Sequence, residues 1–286
     1  MPTQAALNPL TLTKFLMWIV VALVATVLLA RHKMSARTRT LFIIGGTVLF
    51  GFVYGALLAP GLNPNPVASL RSFLQGLLVQ GRIAGPVVVM LVVLLALTWA
   101  SNKIICGYGC QLGLLQDLLH RAKLPKWQPP FWLSNTVRAV AFVGLIGGLL
   151  VAGLDWIGVI DPFRLFQFDL TVPIALTSGA VLAASVVVYR PWCRFLCPFG
   201  LVSWVTEQVS LFRPRINRDV CKDCQACVRA CPSGAMRDFY EGARIHADCF
   251  ACGACIEACK VKGALGWRRP QGRRPQATEK QRGEPT

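Results

Sequence analysis

The sequence predicts a mainly α-helical transmembrane bundle of five helices, followed by a small C-terminal α+β domain. Three observations lead to this fold class: an apolar composition, five long runs without charged residues, and a repeated cysteine pattern near the C-terminus. Of the 286 residues, 54% are hydrophobic and only 15% are charged. An ordinary soluble domain has about 25% charged residues, so this composition argues against a water-exposed globule.

Five apolar runs are predicted to cross a membrane. They cover residues 15–30, 41–59, 83–102, 139–154 and 170–189. A helix needs roughly 20 apolar residues to span the hydrocarbon core of a bilayer. The first run is short, so its flanking basic side chains are expected to snorkel towards the interface. Any one run is compatible with a buried helix of a soluble protein, but five in succession favour a membrane bundle.

The basic residues of the loops predict the orientation of the bundle. Four follow the first run and four more follow the third, whereas the connections 61–82 and 155–169 contain two and one. Basic loops face the cytoplasm, so the N-terminus is expected outside and everything after residue 189 inside. The first run is expected to stay in the protein, because its basic residues follow it, whereas those of a signal peptide precede the apolar segment. The formal net charge of +17 fits such loops and contact with anionic lipid.

Eight cysteines near the C-terminus form two copies of one pattern, in which the gaps are two, two and three residues. They are Cys221, Cys224, Cys227, Cys231, Cys249, Cys252, Cys255 and Cys259. In two-cluster ferredoxins, the fourth cysteine of each copy binds the cluster held by the other copy. The predicted ligands are Cys221, Cys224, Cys227 and Cys259 for cluster 1, and Cys249, Cys252, Cys255 and Cys231 for cluster 2. Zinc sites have a different spacing, and disulfides are unusual in a reducing cytoplasm.

The segment 218–267 resembles the bacterial-type 2[4Fe-4S] ferredoxins. This resemblance implies a compact α+β module with two 4Fe-4S clusters that transfers single electrons. The domain organisation expected from these features is an extra span with a basic loop at 1–40, a four-span membrane domain at 41–212, the ferredoxin domain at 213–267, and a disordered basic tail at 268–286.

Four further cysteines form two pairs with three residues between the partners. They are Cys106, Cys110, Cys193 and Cys197. On a helical turn, residues four apart share one side, so each pair is expected to present two thiols in one direction. Both pairs follow runs that are predicted to enter the cytoplasm, and together they would make a four-thiolate site at the membrane surface. The alternatives are a third redox centre, a soft metal such as Cu(I), a cycling disulfide, or small buried side chains.

From residue 41 onward, the four runs, the two cysteine pairs and the tandem motifs resemble the NapH/MauN-type membrane ferredoxin-type proteins, with related parts in NosR and CcoG. That family contains the membrane components of 4Fe-4S quinol dehydrogenases. The resemblance implies a protein of the bacterial inner membrane that takes electrons from the quinol pool. It also implies a partner ferredoxin or cytochrome c-type protein, in a system of the nitrate reductase or methylamine utilisation type. Two features depart from the family: Gln111 stands at a usual proline position, and the first run is additional.

Other cofactors are not expected. The three histidines, His32, His120 and His246, lie outside the runs, so no haem is predicted within the bundle. No flavin, nucleotide or nucleic-acid motif is present in the sequence. Asp161 and Arg164 are considered for proton or quinone handling, although a solvated turn is favoured; catalytic and quinone-binding residues are otherwise not predicted.

Two other functions stay open at the level of the sequence. One is a cluster-dependent metal reductase, with copper as its metal, or a metalloenzyme assembly factor. The other is a membrane scaffold or regulator that senses redox state. Whether the chain is an electron carrier or a quinol dehydrogenase component is likewise left open.

Overall fold

The structure, a computed structural model, describes residues 9–58 and 65–269. Its helices in the first 210 residues are α1 (Pro9–Ala30), α2 (Ala36–Gly46), α3 (Pro66–Leu78), α4 (Gly85–Ser101), α5 (Ile104–Tyr108), α6 (Gln111–Leu119), α7 (Phe131–Ala152), α8 (Trp156–Val159), α9 (Val172–Val187), α10 (Pro191–Phe195) and α11 (Pro198–Glu207). A π-helical segment, Thr47–Leu58, continues α2, and a 3-10 helix, Pro162–Gln167, precedes α9. Most of the tail predicted at 268–286 lies outside the described residues, as does residue 59.

Three helices among the described residues are long and apolar enough to cross a membrane. They cover Leu12–Ala30, Ala36–Leu58 and Phe131–Ala152. The apolar helices α4 and α9 match two further predicted runs but have only 17 and 16 residues. Apolar side chains such as Val140 and Leu176 are 66% and 69% exposed, as expected where a helix faces lipid. The structure therefore has the character of a membrane protein, and the crossing by α4 and α9 stays a prediction.

Helix α7 begins at Phe131, eight residues before the run that the sequence predicts there. The sequence predicts a start after Arg138 because this charged residue interrupts the apolar run. Arg138 is completely buried, and its guanidinium donates to the carboxylate of Asp248 over 3.1 Å. The charge of Arg138 is thus neutralised inside the protein, so the helix continues without interruption across this residue.

Helix α3 was not among the predicted spans, and it packs inside the bundle against α4, α7 and α11. Its Arg71 forms ion pairs with Asp155 and Asp161, both in the connection between α7 and α9. Asp161 is only 3% exposed, so the solvated turn favoured for it from the sequence is wrong. Arg164 is only half-buried, and it pairs with Asp169.

The membrane domain contains a duplicated arrangement. Helix α4 is followed by the short helices α5 and α6, and α9 is followed in the same way by α10 and α11. Helices α4 and α9 each end just before a cysteine pair, so the duplication brings both pairs to the same end of the bundle.

The C-terminal domain combines strand β1 (Arg213–Ile216), helices α12 (Ala226–Arg229), α13 (Ala235–Glu241) and α14 (Ala254–Ala258), and strand β2 (Leu265–Arg268). The two strands pair in antiparallel register, with Pro214 opposite Trp267. Trp267 is buried and donates its indole N–H to Ser101 Oγ at the end of α4 over 2.9 Å. The indole of Trp204 in α11 donates to the carbonyl of His246 over 2.9 Å. These contacts fasten the domain onto the cysteine-bearing end of the bundle.

Candidate iron-sulfur centres

The four membrane-surface cysteines occupy two equivalent corners. Cys106 lies in α5 and Cys110 caps α6, while Cys193 lies in α10 and Cys197 caps α11. Each pair therefore straddles a break between two short helices, and the single helical turn expected from the spacing is wrong. All four thiols are buried and close enough for the charge of one to act on the others.

Gln111, which stands where the family usually has proline, lies at a position equivalent to that of Pro198. Gln111 is the first residue of α6, as Pro198 is the first residue of α11. Two glycines follow at matching places: a Cβ on Gly113 would lie 2.9 Å from the carbonyl oxygen of Cys106, and one on Gly200 would lie 2.6 Å from that of Cys193. Both corners thus need glycine for the same close approach, and they are structurally equivalent without the proline.

The surroundings of the four thiols oppose an uncompensated negative charge. Burial and the nearby Cys193 together raise the pKa of Cys110 to about 12. Burial likewise raises the pKa values of Cys106 and Cys193, and it raises that of Cys197 together with repulsion from Cys193. Four thiolates can therefore exist here only with cations beside them, which a bound metal supplies.

Backbone N–H groups already point at two of these sulfur atoms. The amide of Gly200 donates to Cys197 Sγ over 3.2 Å. The amides of Leu112 and Gly113 favour the ionised form of Cys110 and so lower its pKa against the effect of burial. Such donors at the starts of α6 and α11 suit metal-bound thiolates.

Three completely buried cations hold the two cysteine corners. Arg190 donates to the carbonyl oxygens of Cys106 and Gly107, and Arg138 donates to that of Cys193 over 3.2 Å. Lys103 donates to the carbonyl of Gly200 over 3.1 Å and forms an ion pair with Asp248. Arg190 is paired with Asp117 at 3.2 Å. These cations place positive charge beside the thiols, since Lys103 and Arg190 both lower the pKa values of Cys106 and Cys193.

Sequence reasoning missed this role, because it counted Lys103 as a charge in a cytoplasmic loop. A signal was nevertheless present: Lys103 and Arg190 each stand three residues before the first cysteine of a pair. Basic residues at equivalent positions of a duplicated motif are better explained by a role at the cysteine corners than by the general positive charge of a cytoplasmic loop.

The predicted ligands of cluster 2 surround a small cavity in the C-terminal domain. Its cysteines are Cys231, Cys249, Cys252 and Cys255. Its remaining wall consists mainly of apolar and aromatic side chains, including Tyr189, Met236, Phe239, Phe250 and Trp267. A tetrathiolate donor set with an apolar wall suits an iron-sulfur cluster.

The predicted ligands of cluster 1 lie nearer the solvent. Cys224 is exposed, and Cys221, Cys227 and Cys259 are half-buried. Burial raises the pKa of Cys227, and repulsion from Cys259 and Cys221 acts in the same direction, so these thiols are neighbours. Repulsion from Cys227 also raises the pKa of Cys255, so the two ligand sets lie side by side.

Direct contacts join the cluster 2 loop to the membrane-surface corner. The hydroxyl of Tyr108 donates to the carbonyl of Cys252 over 3.3 Å. The Phe250 ring lies 4.9 Å from the guanidinium carbon of Arg190 and 5.3 Å from the Lys103 nitrogen. The cysteine sets therefore follow one another from the solvent to the ends of the membrane helices.

Within the described residues, no three His, Cys, Asp or Glu side chains converge closely enough to hold a single metal ion. In a 4Fe-4S cluster each thiolate binds a different iron, so its donors do not meet at one point.

Two protein-family models match parts of the chain that contain these cysteines. A model described as a 4Fe-4S dicluster domain matches residues 213–260. A second model, a 4Fe-4S binding domain, matches residues 83–133 and 170–218. The second match falls on the two halves of the duplication, each with one cysteine pair. No solved structure matches the chain.

Similar proteins are found in bacteria. The putative electron transport protein YccM of Escherichia coli is 26% identical over 70% of this chain and 61% of its own length. The regulatory protein NosR of Pseudomonas aeruginosa is 27% identical over 56% of this chain and 24% of its own. The methylamine utilization ferredoxin-type protein MauN of Paracoccus denitrificans is 26% identical over 46% of this chain and 49% of its own. The chain thus spans less than two thirds of each of these relatives. The two family matches and these relatives support a likeness of the chain to the NapH/MauN/NosR-type membrane ferredoxin-like proteins.

Proposed function

We propose that this iron-sulfur electron-transfer protein takes electrons from membrane quinol and passes them to a partner respiratory or periplasmic redox system. The observation that carries the proposal is the succession of three cysteine sets between the membrane helices and the solvent. Quinol is confined to the bilayer and a redox protein to water, so a path between them has to cross this boundary. The partner is a ferredoxin or a cytochrome c-type protein, as in the systems of the family.

The ligands of the proposed centres are those predicted from the sequence. Cys221, Cys224, Cys227 and Cys259 hold cluster 1, and Cys249, Cys252, Cys255 and Cys231 hold cluster 2. When bound, 4Fe-4S clusters supply centres that gain and lose one electron at a time. The protein buries the cluster 2 ligands and leaves the cluster 1 ligands nearer the solvent. It also brings the backbone of the cluster 2 loop into contact with the membrane-surface corner.

Cys106, Cys110, Cys193 and Cys197 are proposed to hold a third 4Fe-4S cluster. The match of a 4Fe-4S binding domain to both halves of the duplication supports this assignment. The three buried cations around the corner support it as well, because they offset the negative charge of four thiolates.

The proposed topology has five spans, with the N-terminus outside and the C-terminal domain in the cytoplasm of the bacterial inner membrane. The equivalent positions of the cysteine corners after α4 and α9 support it, since both helices then run in the same direction through the membrane. The short lengths of α4 and α9 are compatible with crossing where the flanking residues lie at the interface.

Anaerobic purification with iron and sulfide analysis tests the cofactor assignment. We expect about twelve irons per chain for three clusters, and about eight in Cys106→Ser and Cys193→Ser variants. About eight irons in the unaltered protein would contradict the third cluster, and clearly fewer would contradict the two-cluster domain. Reduction of the clusters by menaquinol and ubiquinol, followed by optical bleaching, then tests the electron source.

A metal reductase or assembly factor is the second candidate function, and the four-thiol corner favours it, because thiolates select soft ions such as Cu(I). In that case Cys106→Ser and Cys193→Ser would abolish stoichiometric copper binding while the iron content stayed at about eight.

A further inference from the structure

We propose that a cationic groove beside Cys259 is the docking site of a small acidic one-electron carrier protein. The cationic groove is formed by the loop His32–Ser35 after α1, the segment 256–263, Leu265 and Arg268. The proposal rests on the proposed function of Cys259 as a ligand of cluster 1, and it names the face through which that cluster exchanges electrons.

The shape of the groove suits a protein surface. It is open to the solvent and has a volume of about 630 Å³. Half-buried Cys259 forms part of its wall. Whatever occupies the groove therefore touches a predicted cluster ligand, which is the close approach that electron exchange between proteins requires.

The charge of the groove is almost entirely positive. Its exposed cations are Lys33, Lys260, Lys262 and Arg268. Among the described residues, none of these four forms an ion pair with a carboxylate. The acid of the groove is Glu257, and its Oε1 accepts a hydrogen bond from the backbone amide of Ala36 over 2.7 Å. The cations are thus available to a negatively charged partner and would steer its approach.

The floor of the groove distinguishes a protein partner from a lipid headgroup. Met34, Ile256 and Leu265 are buried at its base, and Val261 is half-buried. An apolar centre with a charged rim is the usual composition of a protein interface, in which the rim sets orientation and association rate. A site for a lipid headgroup alone would need only the cations and not the apolar floor.

The occupant inferred from this chemistry is an acidic ferredoxin-type or flavodoxin-type protein. One electron passes between the carrier and the centre held by Cys221, Cys224, Cys227 and Cys259. The carrier is oxidised as the centre is reduced, or the reverse, and no atom is transferred. Electrons would enter or leave the protein through this groove, beside the end of α1.

The test uses the full-length, cluster-loaded protein in nanodiscs of neutral phosphatidylcholine, with a purified acidic 2[4Fe-4S] ferredoxin as the probe. The double variant Lys260→Glu/Lys262→Glu reverses two charges of the groove. The matched control Arg237→Glu/Arg244→Glu makes the same change at exposed positions of the C-terminal domain that do not line it. Binding is measured by interferometry, and electron exchange by stopped-flow absorbance.

We expect the groove variant to raise the Kd for the ferredoxin by at least about tenfold and to slow electron exchange in proportion. The control should change the Kd by less than about twofold, and binding to the unaltered protein should weaken steeply with salt. Dithionite should reduce all variants to the same final extent, because that extent does not depend on docking.

Equal effects of the two double variants would overturn the docking site. So would an unchanged ferredoxin Kd together with loss of stabilisation by anionic phosphatidylglycerol, which would make the groove a lipid site. Failure of the proposed function looks different, since it appears as missing iron or as clusters that dithionite cannot reduce in the unaltered protein.

Discussion

The α-carbon of Gly107 lies against the carbonyl oxygen of Phe250, so closely that a Cβ on Gly107 has no space. Gly107 stands between the first pair of membrane-surface cysteines, and Phe250 stands between two predicted ligands of cluster 2. The loops of two proposed redox centres are therefore in backbone contact, and their separation is fixed by the absence of one side chain.

Gly107→Ala is expected to push these two loops apart. The added methyl group has no free volume, so we expect a loss of about 1–3 kcal/mol of stability. Electron exchange between the two centres should also slow, because their spacing increases. Thermal unfolding and pre-steady-state reduction kinetics measure the two effects. Gly45→Ala is the control, since a Cβ there meets nothing within 4 Å; similar behaviour of both variants would contradict this contact.

Arg190→Gln is expected to lower the reduction potential at the membrane-surface corner. The guanidinium is buried, donates to the carbonyls of Cys106 and Gly107, and lies over Phe250. Its loss removes a positive charge that favours the reduced, more negative state. We also expect destabilisation of about 3–5 kcal/mol, since Asp117 loses one of its buried partners.

Redox titration followed by electron paramagnetic resonance measures the effect of Arg190→Gln. Arg190→Lys should restore part of the potential because it keeps the charge. Arg164→Gln serves as the control, since its side chain is 43% exposed and pairs with Asp169. A potential that is unchanged in Arg190→Gln would show that the residue is purely structural.

Asp161→Asn is expected to remove a pH dependence of stability. Burial raises the pKa of Asp161 to about 6, although Arg71 acts against the shift. Arg71 is shared with Asp155, whose nearby charge also raises the pKa of Asp161. Unfolded aspartate titrates near pH 3.9. Ionisation of Asp161 therefore costs folding free energy, and stability present below about pH 4 is lost as the pH rises through about 6.

The measurement compares the Tm of the unaltered protein and Asp161→Asn in detergent between about pH 5 and pH 8. The Tm of the unaltered protein should fall relative to the variant as the pH rises. Asp169→Asn is the control, because the side chain of Asp169 is 33% exposed. The Tm of this variant should change with pH in the same way as the Tm of the unaltered protein. Parallel Tm curves for the unaltered protein and Asp161→Asn would refute the raised pKa.

Trp267→Ala is expected to loosen the C-terminal domain from the membrane bundle. The indole is 2% exposed and donates to Ser101 Oγ, which also accepts from Thr26. Truncation should cost about 3–5 kcal/mol, whereas Trp267→Phe should cost about 1 kcal/mol for the lost hydrogen bond. Hydrogen exchange at the β1–β2 pair reports the loosening. Trp99→Phe, at a 45% exposed position, should leave this exchange unchanged.

The sequence predicted the features that depend on local pattern. Cysteine spacing and apolar run length are readable residue by residue, so the ligand candidates and most helices could be located. The predicted start of α7 was too late because Arg138 interrupts the apolar run, whereas its charge is neutralised by Asp248, a carboxylate that is distant in the chain. Arg71 in α3 is likewise paired with the distant carboxylates of Asp155 and Asp161. Only tertiary structure tells whether a charge meets water or a buried partner.

The duplicated corners also constrain the order in which the protein can mature. Cys106 and Cys110 precede Cys193 and Cys197 by the whole of α7 and α9, and Arg190, which holds the first corner, belongs to the second. A chain emerging from the ribosome therefore presents only half of the four-thiol set until its last apolar helix has been made. The proposed cofactor would therefore be inserted only after Cys197 has been made, because no shorter chain contains all four cysteines.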